Sequence, residues 1–159
     1  MNFDQAFTKL LGAEGGYTCN PADPGGETNW GISKRSYPDV DIKALTQEQA
    51  KSIYMHDYWQ PCQIELLPEE VQYDMFDAAV NSGNRQAVKF LQKAAGVIDD
   101  GIIGTITLNA CKNLPGFVLS AKFNGYRLQF MSALPAWSTF SRGWANRIAK
   151  NLIGDDNGS

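Results

Sequence analysis

Residues 69 to 82 place Val71, Tyr73, Met75, Phe76, Ala78, Ala79 and Val80 in one helical stretch, which leaves apolar side chains on nearly every face of the helix. A helix of that kind needs neighbours all round, so the rest of the chain has to supply a helical shell. Only Asp74, Asp77 and Asn81 interrupt it, and their spacing by three and four puts them in one polar stripe. The stripe is either a solvated edge or the wall of a cleft, since polar side chains deep in a helical core require partners.

The remaining periodicity supplies that shell. Phe3, Ala6, Phe7, Leu10 and Leu11 follow the i, i+3, i+4, i+7, i+8 rule of an amphipathic helix. Thr46 with Gln49 makes a capping box ahead of a second helix in which Ala50, Ile53, Tyr54 and Tyr58 share a face before Pro61 ends it. Gly83 stops the buried helix, and Asn84 can cap a fourth one carrying Val88, Phe90, Leu91 and Ala94. Further helices are expected at 105–114 and 117–134, with a last one carrying Phe140, Trp144, Ile148 and Leu152. Phe90, Leu91, Phe117, Tyr126 and Trp144 are the expected inward anchors of the second half. No long alternating pattern is present, so the expected fold is all-α with a small hairpin in the loop before residue 45. The polar tail from Gly154 to Ser159 is expected to be disordered.

Glu14 is the first residue with chemical promise. At about 100° per residue it falls within roughly 20° of Phe3 and Phe7, on the apolar side of the first helix. A carboxyl facing a core or cleft tends to keep its proton, because burial disfavours the charged form, and a protonated acid in a pocket is what glycosidic cleavage needs. Gly15-Gly16 lets the chain turn sharply after it. The Gly- and Pro-rich stretch to Gly31 then reads as a long functional loop. Within it Asp23 lies in a polar turn beside Pro24-Gly25-Gly26, an environment that keeps a carboxylate ionised, so the pair has the split character that assigns acid and base. The bland alternative for Asp23 is a turn-forming residue before proline. Glu27 is the second candidate base. Tyr17, Asn29, Trp30 and Asn81 are candidates to contact sugar, through aromatic faces and amides, although a large aromatic such as Trp30 is more often core than platform.

Charge and length narrow the classes. A chain of 159 residues with 43% apolar and 19% charged side chains is an ordinary globular protein, and a net charge of −3 argues against nucleic-acid binding. No apolar stretch approaches a membrane span, and Met1-Asn2-Phe3-Asp4 lacks the layout of a signal peptide, so synthesis in the cytoplasm is expected. Cys19, Cys62 and Cys111 are widely spaced and outside any Cys-x-x-Cys pattern, which points to free thiols and no zinc site. With His56 as the only histidine, no cofactor or metal is expected.

Taken in order, Glu14-Gly15-Gly16-Tyr17, Asp23-Pro24-Gly25-Gly26 with Thr28 and Gly31-Ile32, Tyr54 with Tyr58-Trp59, and Asp77-Ala78-Ala79-Val80-Asn81-Ser82-Gly83 resemble the phage and bacterial N-acetylmuramidases of glycoside hydrolase family 108. Leu91-Gln92, Asp100-Gly101 with Gly104, and Gly143-Trp144 with Asn146-Arg147 resemble the peptidoglycan-binding-like segment that follows in that family. The resemblance implies a lysozyme-like helical fold and cleavage of the bond between N-acetylmuramic acid and N-acetylglucosamine. It implies Glu14 as general acid, Asp23 as the group that orients or deprotonates water, Thr28 as its helper, and Tyr58 among the substrate contacts. Phage-type lysozymes share the eight-residue gap between Glu and Asp, whereas Thr28 follows Asp23 one residue early. The implied organisation is a catalytic region over 1–83 and a peptidoglycan-binding-like region over 84–159, packed as one folding unit. The implied partners are peptidoglycan glycan strands and a separate holin or secretion device that releases the enzyme to the wall. A monomer without membrane insertion is expected.

Three other readings compete. A lytic transglycosylase needs one acid only, with the muramyl C6 hydroxyl in place of water. A cysteine peptidase would use Cys19, His56 and an Asp or Asn, but a Cys in a Pro/Asp loop lacks the helix N-terminus that would activate it. A non-catalytic wall-binding protein would leave Glu14 and Asp23 without purpose.

Overall fold

The computed structural model describes residues 1–12 and 16–154, and divides at Gln60/Pro61 into two compact units. The fold is predominantly helical, with one small antiparallel sheet near the N-terminus.

In the first unit, α1 (Phe3–Leu11) opens on a capping box between Asn2 and Gln5 and ends at Gly12. Three short strands follow, β1 (Thr18–Cys19), β2 (Glu27–Asn29) and β3 (Ile32–Ser33), in that spatial order. The expected hairpin is β2–β3, and β1 adds a third strand by pairing Thr18 with Thr28 and Cys19 with Glu27. Thr46 and Gln49 form the expected capping box at the start of α2 (Gln47–Tyr54). The helix then widens into a π-helical turn, Met55–Trp59. Phe7, Ile32, Ile42, Leu45, Ala50, Tyr54 and Trp59 make the core of this unit. Phe7 meets Tyr54 edge-on at 5.4 Å, and Phe3 meets Trp59 at the same separation.

In the second unit, a 3-10 turn (Ile64–Leu66) leads into α3 (Glu69–Ser82), the helix expected to be surrounded. It packs against α4 (Asn84–Ala95) and α6 (Gly116–Ser132), while α5 (Thr105–Lys112) lies on α4 and α7 (Trp137–Ile153) on α6. Gly116 at the start of α6 sits against the carboxylate of Glu70 on α3, the mobile end of an exposed side chain. The expected division at 83/84 therefore falls between two helices that share one core. Phe90 and Leu91 are buried anchors as expected, and Trp144 is half-buried. Phe117 and Tyr126 are not anchors: Phe117 is 79% exposed and Tyr126 37%. The helical register explains the difference, since the inward stripe of α6 runs through Leu119, Phe123, Arg127 and Met131.

The polar stripe of α3 is an internal network. Asp77 is buried and accepts from Arg127 Nη1 of α6 at 2.6 Å and from Asn151 of α7 at 3.3 Å. Asp74 is buried and accepts from the Ser120 hydroxyl at 2.6 Å. Asn81 donates to the Asp77 carbonyl at 2.7 Å and accepts from Arg147.

Candidate active site

Glu14 lies outside the described residues, and Gly12 and Gly16 are the nearest described residues on either side of it. Gly12 and Gly16 both line a cavity of about 620 Å³ in the first unit, together with Thr8 and Leu11 of α1. Tyr17, Asn29, Trp30, Leu45 and Gln47 are the other described residues that line it. The cavity thus opens where α1 ends and the sheet begins.

Trp30 sits at its rim through an unusual hairpin. Asn29 pairs with Ile32, leaving Trp30-Gly31 as a two-residue loop whose φ values, 52° and 77°, are those of the left-handed type I′ turn. A tryptophan seldom adopts that conformation. Here its indole N–H donates to the Leu45 carbonyl at 3.1 Å, and its own carbonyl accepts from the Tyr54 hydroxyl at 3.3 Å. These two bonds hold the ring half-buried against the cavity.

Asn29 is buried, and its amide N–H groups go to the carbonyls of Ile42, Lys43 and Leu45 at 3.0, 3.5 and 3.3 Å. That side chain fastens the loop over residues 42–45 to the sheet, so its donors are not free for an N-acetyl group. Tyr17 donates its hydroxyl to Glu27 Oε1 at 2.7 Å. The carboxylate acceptor and its negative charge raise the Tyr17 pKa well above the ordinary phenol value.

Alternation along β2 puts Glu27 and Asn29 on one face and Thr28 on the other, opposite Thr18 and Ser33. Thr28 therefore points away from the face that carries Tyr17 and Asn29. Asp23 is exposed in a turn, where its Oδ1 accepts from the Gly25 N–H at 2.8 Å. With Glu27, Lys34 and Arg35 it lines a neighbouring hollow of about 480 Å³. Tyr58 stands elsewhere in the unit, its ring 5.8 Å from that of Tyr54 and beside Tyr37, which donates to Asp57 at 2.6 Å. Asn81 belongs to the second unit and its network with Asp77 and Arg147.

Sequence reasoning did not find Thr8, Leu45 and Gln47. Gln47 is the first residue after the Thr46 cap, which fixes its place at a helix end but not what that end faces. The cysteines are free thiols, Cys19 exposed and Cys62 and Cys111 buried. Burial pushes the Cys62 thiol up to about 12 and that of Cys111 to about 11. His56 pairs with Asp57 at 2.8 Å. Among the described residues no cluster of His, Cys, Asp and Glu is arranged to hold a metal ion.

The family model of glycosyl hydrolase 108 matches residues 7–83. No curated protein matches the chain. Among solved structures, that of Brucella abortus SagA is 34% identical, covers 95% of this chain and 91% of its own, and superposes with a TM-score of 0.84. The chain belongs to glycosyl hydrolase family 108. It is a muramidase-like peptidoglycan hydrolase of that family. The family match spans the first unit from Phe7 onward and reaches through α3, so it includes the residues that line the cavity and the polar stripe of α3, but not the stripe's partners on α6 and α7.

Proposed function

We propose that this family 108 hydrolase cleaves the β-1,4 bond between N-acetylmuramic acid and N-acetylglucosamine, with Glu14 as general acid. The observation that carries the reading is the cavity bounded by Gly12 and Gly16, with the aromatic rings of Tyr17 and Trp30 on its lining. Glu14 lies two positions in sequence from each of those glycines. Glu14 gives its proton to the leaving N-acetylglucosamine oxygen as the bond to the muramyl C1 breaks. Water adds to C1 and passes its proton to a carboxylate, for which Asp23 is the first candidate and Glu27 the second. Trp30 and Tyr17 supply ring faces against which a pyranose packs.

Glu14→Gln is nearly isosteric and has no proton to give. Loss of a general acid costs about 10² to 10⁴-fold in rate, so a variant within threefold of the wild type on purified peptidoglycan overturns the assignment.

Lytic transglycosylation is the second reading, and one observation favours it: the Asp23 carboxylate is engaged with the Gly25 N–H and lines a different hollow from Trp30. Mass spectrometry of the new sugar ends separates the two. Reducing N-acetylmuramic acid supports hydrolysis, and anhydromuramyl ends support transglycosylation.

Access to the wall requires a route. No described helix is long and apolar enough to cross a membrane, and release through a separate holin or secretion device fits this. Fractionation of cells expressing the protein alone should find it inside intact cells, and prompt lysis without a partner contradicts the proposal.

A further inference from the structure

Among the described residues, none of the nine that line the cavity carries a full charge at neutral pH, yet muramyl glycan is an acidic polymer. Its O3 lactyl arm ends in a carboxylate on bare strands, and carries a peptide bearing further carboxylates on substituted ones. A cation within reach of that arm would let the site tell muramic acid from N-acetylglucosamine by charge.

The first 60 residues hold five cationic side chains: Lys9, Lys34, Arg35, Lys43 and Lys51. Lys51 is engaged with Asp4 and Glu48 at 3.4 and 3.7 Å. Lys34 and Arg35 line the neighbouring hollow, where Lys34 also donates to the Val40 carbonyl. Lys9 is half-buried on α1. Lys43 is not itself a lining residue but lies against one: its ammonium is 6.0 Å over the ring of Tyr17, within the range of a cation–π contact. Its backbone is fixed as well, because the buried Asn29 amide donates to the Lys43 carbonyl and to those of Ile42 and Leu45. The ring steers the flexible stem, and the exposed head keeps donors free for an anion.

We propose that Lys43 is a specificity-determining residue that binds a carboxylate carried on the muramyl O3 arm, with Tyr17 as the platform that positions it. The proposal rests on the muramidase reading above. The Tyr17–Glu27 bond contributes by fixing the tyrosine ring. A charge-assisted bond from the ammonium to the carboxylate then distinguishes an armed sugar from an unarmed one at the same subsite.

The test measures dissociation constants by calorimetry on the Glu14→Gln background, so that no ligand is consumed. Four soluble tetrasaccharides serve as probes: an alternating glycan with free lactyl carboxylates, its lactyl amide, the same glycan bearing an Ala-Glu dipeptide on each arm, and chitotetraose. Adding Lys43→Gln should weaken binding about three- to tenfold for the free acid, the dipeptide glycan or both, and leave chitotetraose and the lactyl amide within a factor of 1.5. Lys43→Arg should restore most of the loss, and Lys9→Gln should not reproduce it. Loss on the free acid alone identifies the lactyl carboxylate as the anion, and loss on the dipeptide glycan identifies the peptide stem. An equal loss on all four probes, or no loss on any, overturns the proposal. Failure of the muramidase reading is seen separately, in the sugar ends that the wild type releases.

Discussion

Gly31 lies directly against the hydroxyl of Tyr54, so that a Cβ at position 31 would overlap it. The same hydroxyl holds the Trp30 carbonyl, and the Trp30 indole in turn holds that of Leu45. One glycine thereby permits the contact that fixes the rim of the cavity. Gly31→Ala meets both this overlap and a φ of 77°. The variant should lose about 1–3 kcal/mol of stability, measured by urea unfolding. Tyr54→Phe in the Gly31→Ala background should recover part of that loss by removing the oxygen, and a Gly31→Ala variant as stable as the wild type contradicts the account.

Asp23 has two separable jobs, one in the turn and one in the proposed chemistry. Asp23→Asn keeps the oxygen that accepts from the Gly25 N–H and removes the charge. If Asp23 orients or deprotonates water, this variant should lose at least about 10²-fold in kcat with an unchanged melting temperature. Glu27→Gln keeps an acceptor for the Tyr17 hydroxyl and should lose less than tenfold. The reverse order makes Glu27 the base, and two near-neutral variants with anhydromuramyl products point to a transglycosylase.

The helical shell was legible because it rests on periodicity over long segments. Thr46 with Gln49, and Gly83 after the buried helix, mark boundaries that the structure keeps. The sheet was only partly legible, since strands of two or three residues are too short for an alternating pattern. Trp30-Gly31 also lacks the Asn-Gly signature of its turn type, and its conformation depends on Leu45 and Tyr54, far along the chain. Asn29 illustrates the limit for the site: its residue type suits a sugar contact and it lines the cavity, while the engagement of its amide N–H groups by three carbonyls far along the chain was not legible. The stripe of α3 was visible as a stripe, while its buried partner Arg127 lies fifty positions away in sequence.

That stripe predicts an unusual pH response. Burial raises the Asp74 carboxyl to about 6, against the opposing influence of Ser120, Asn124 and Arg127, with nearby Asp77 adding to the rise. A folded-state pKa above the unfolded one means that the native protein holds the proton more tightly. The stability from this group is fully present below about pH 4 and is lost as pH rises to about 6. The loss is on the order of 3 kcal/mol, from about two pKa units at 1.36 kcal/mol each. Asp74→Asn removes the titration and retains an acceptor for the Ser120 hydroxyl. The stability difference between Asp74→Asn and the wild type should therefore grow in favour of the variant between pH 4.5 and 7, as read by urea unfolding at each pH. A difference independent of pH rules out Asp74 as the titrating group.

The family match ends at Gly83, but the packing does not. α3 lies inside that match and buries Val71, Met75, Phe76, Ala78 and Ala79 within a unit built with α4 and α6. Truncation after Gly83 removes Phe90, Leu91, Phe123 and the Arg127 partner of Asp77. The polar stripe of α3 would lose its partners on α6 and α7 together with the cover that buries it. The apolar faces of α3 would also be left open to water. We therefore expect a fragment of residues 1–83 to be insoluble or molten, binding a hydrophobic dye and lacking a cooperative thermal transition. A fragment that melts cooperatively and cuts soluble wall glycans shows instead that residues 84–159 are a detachable module.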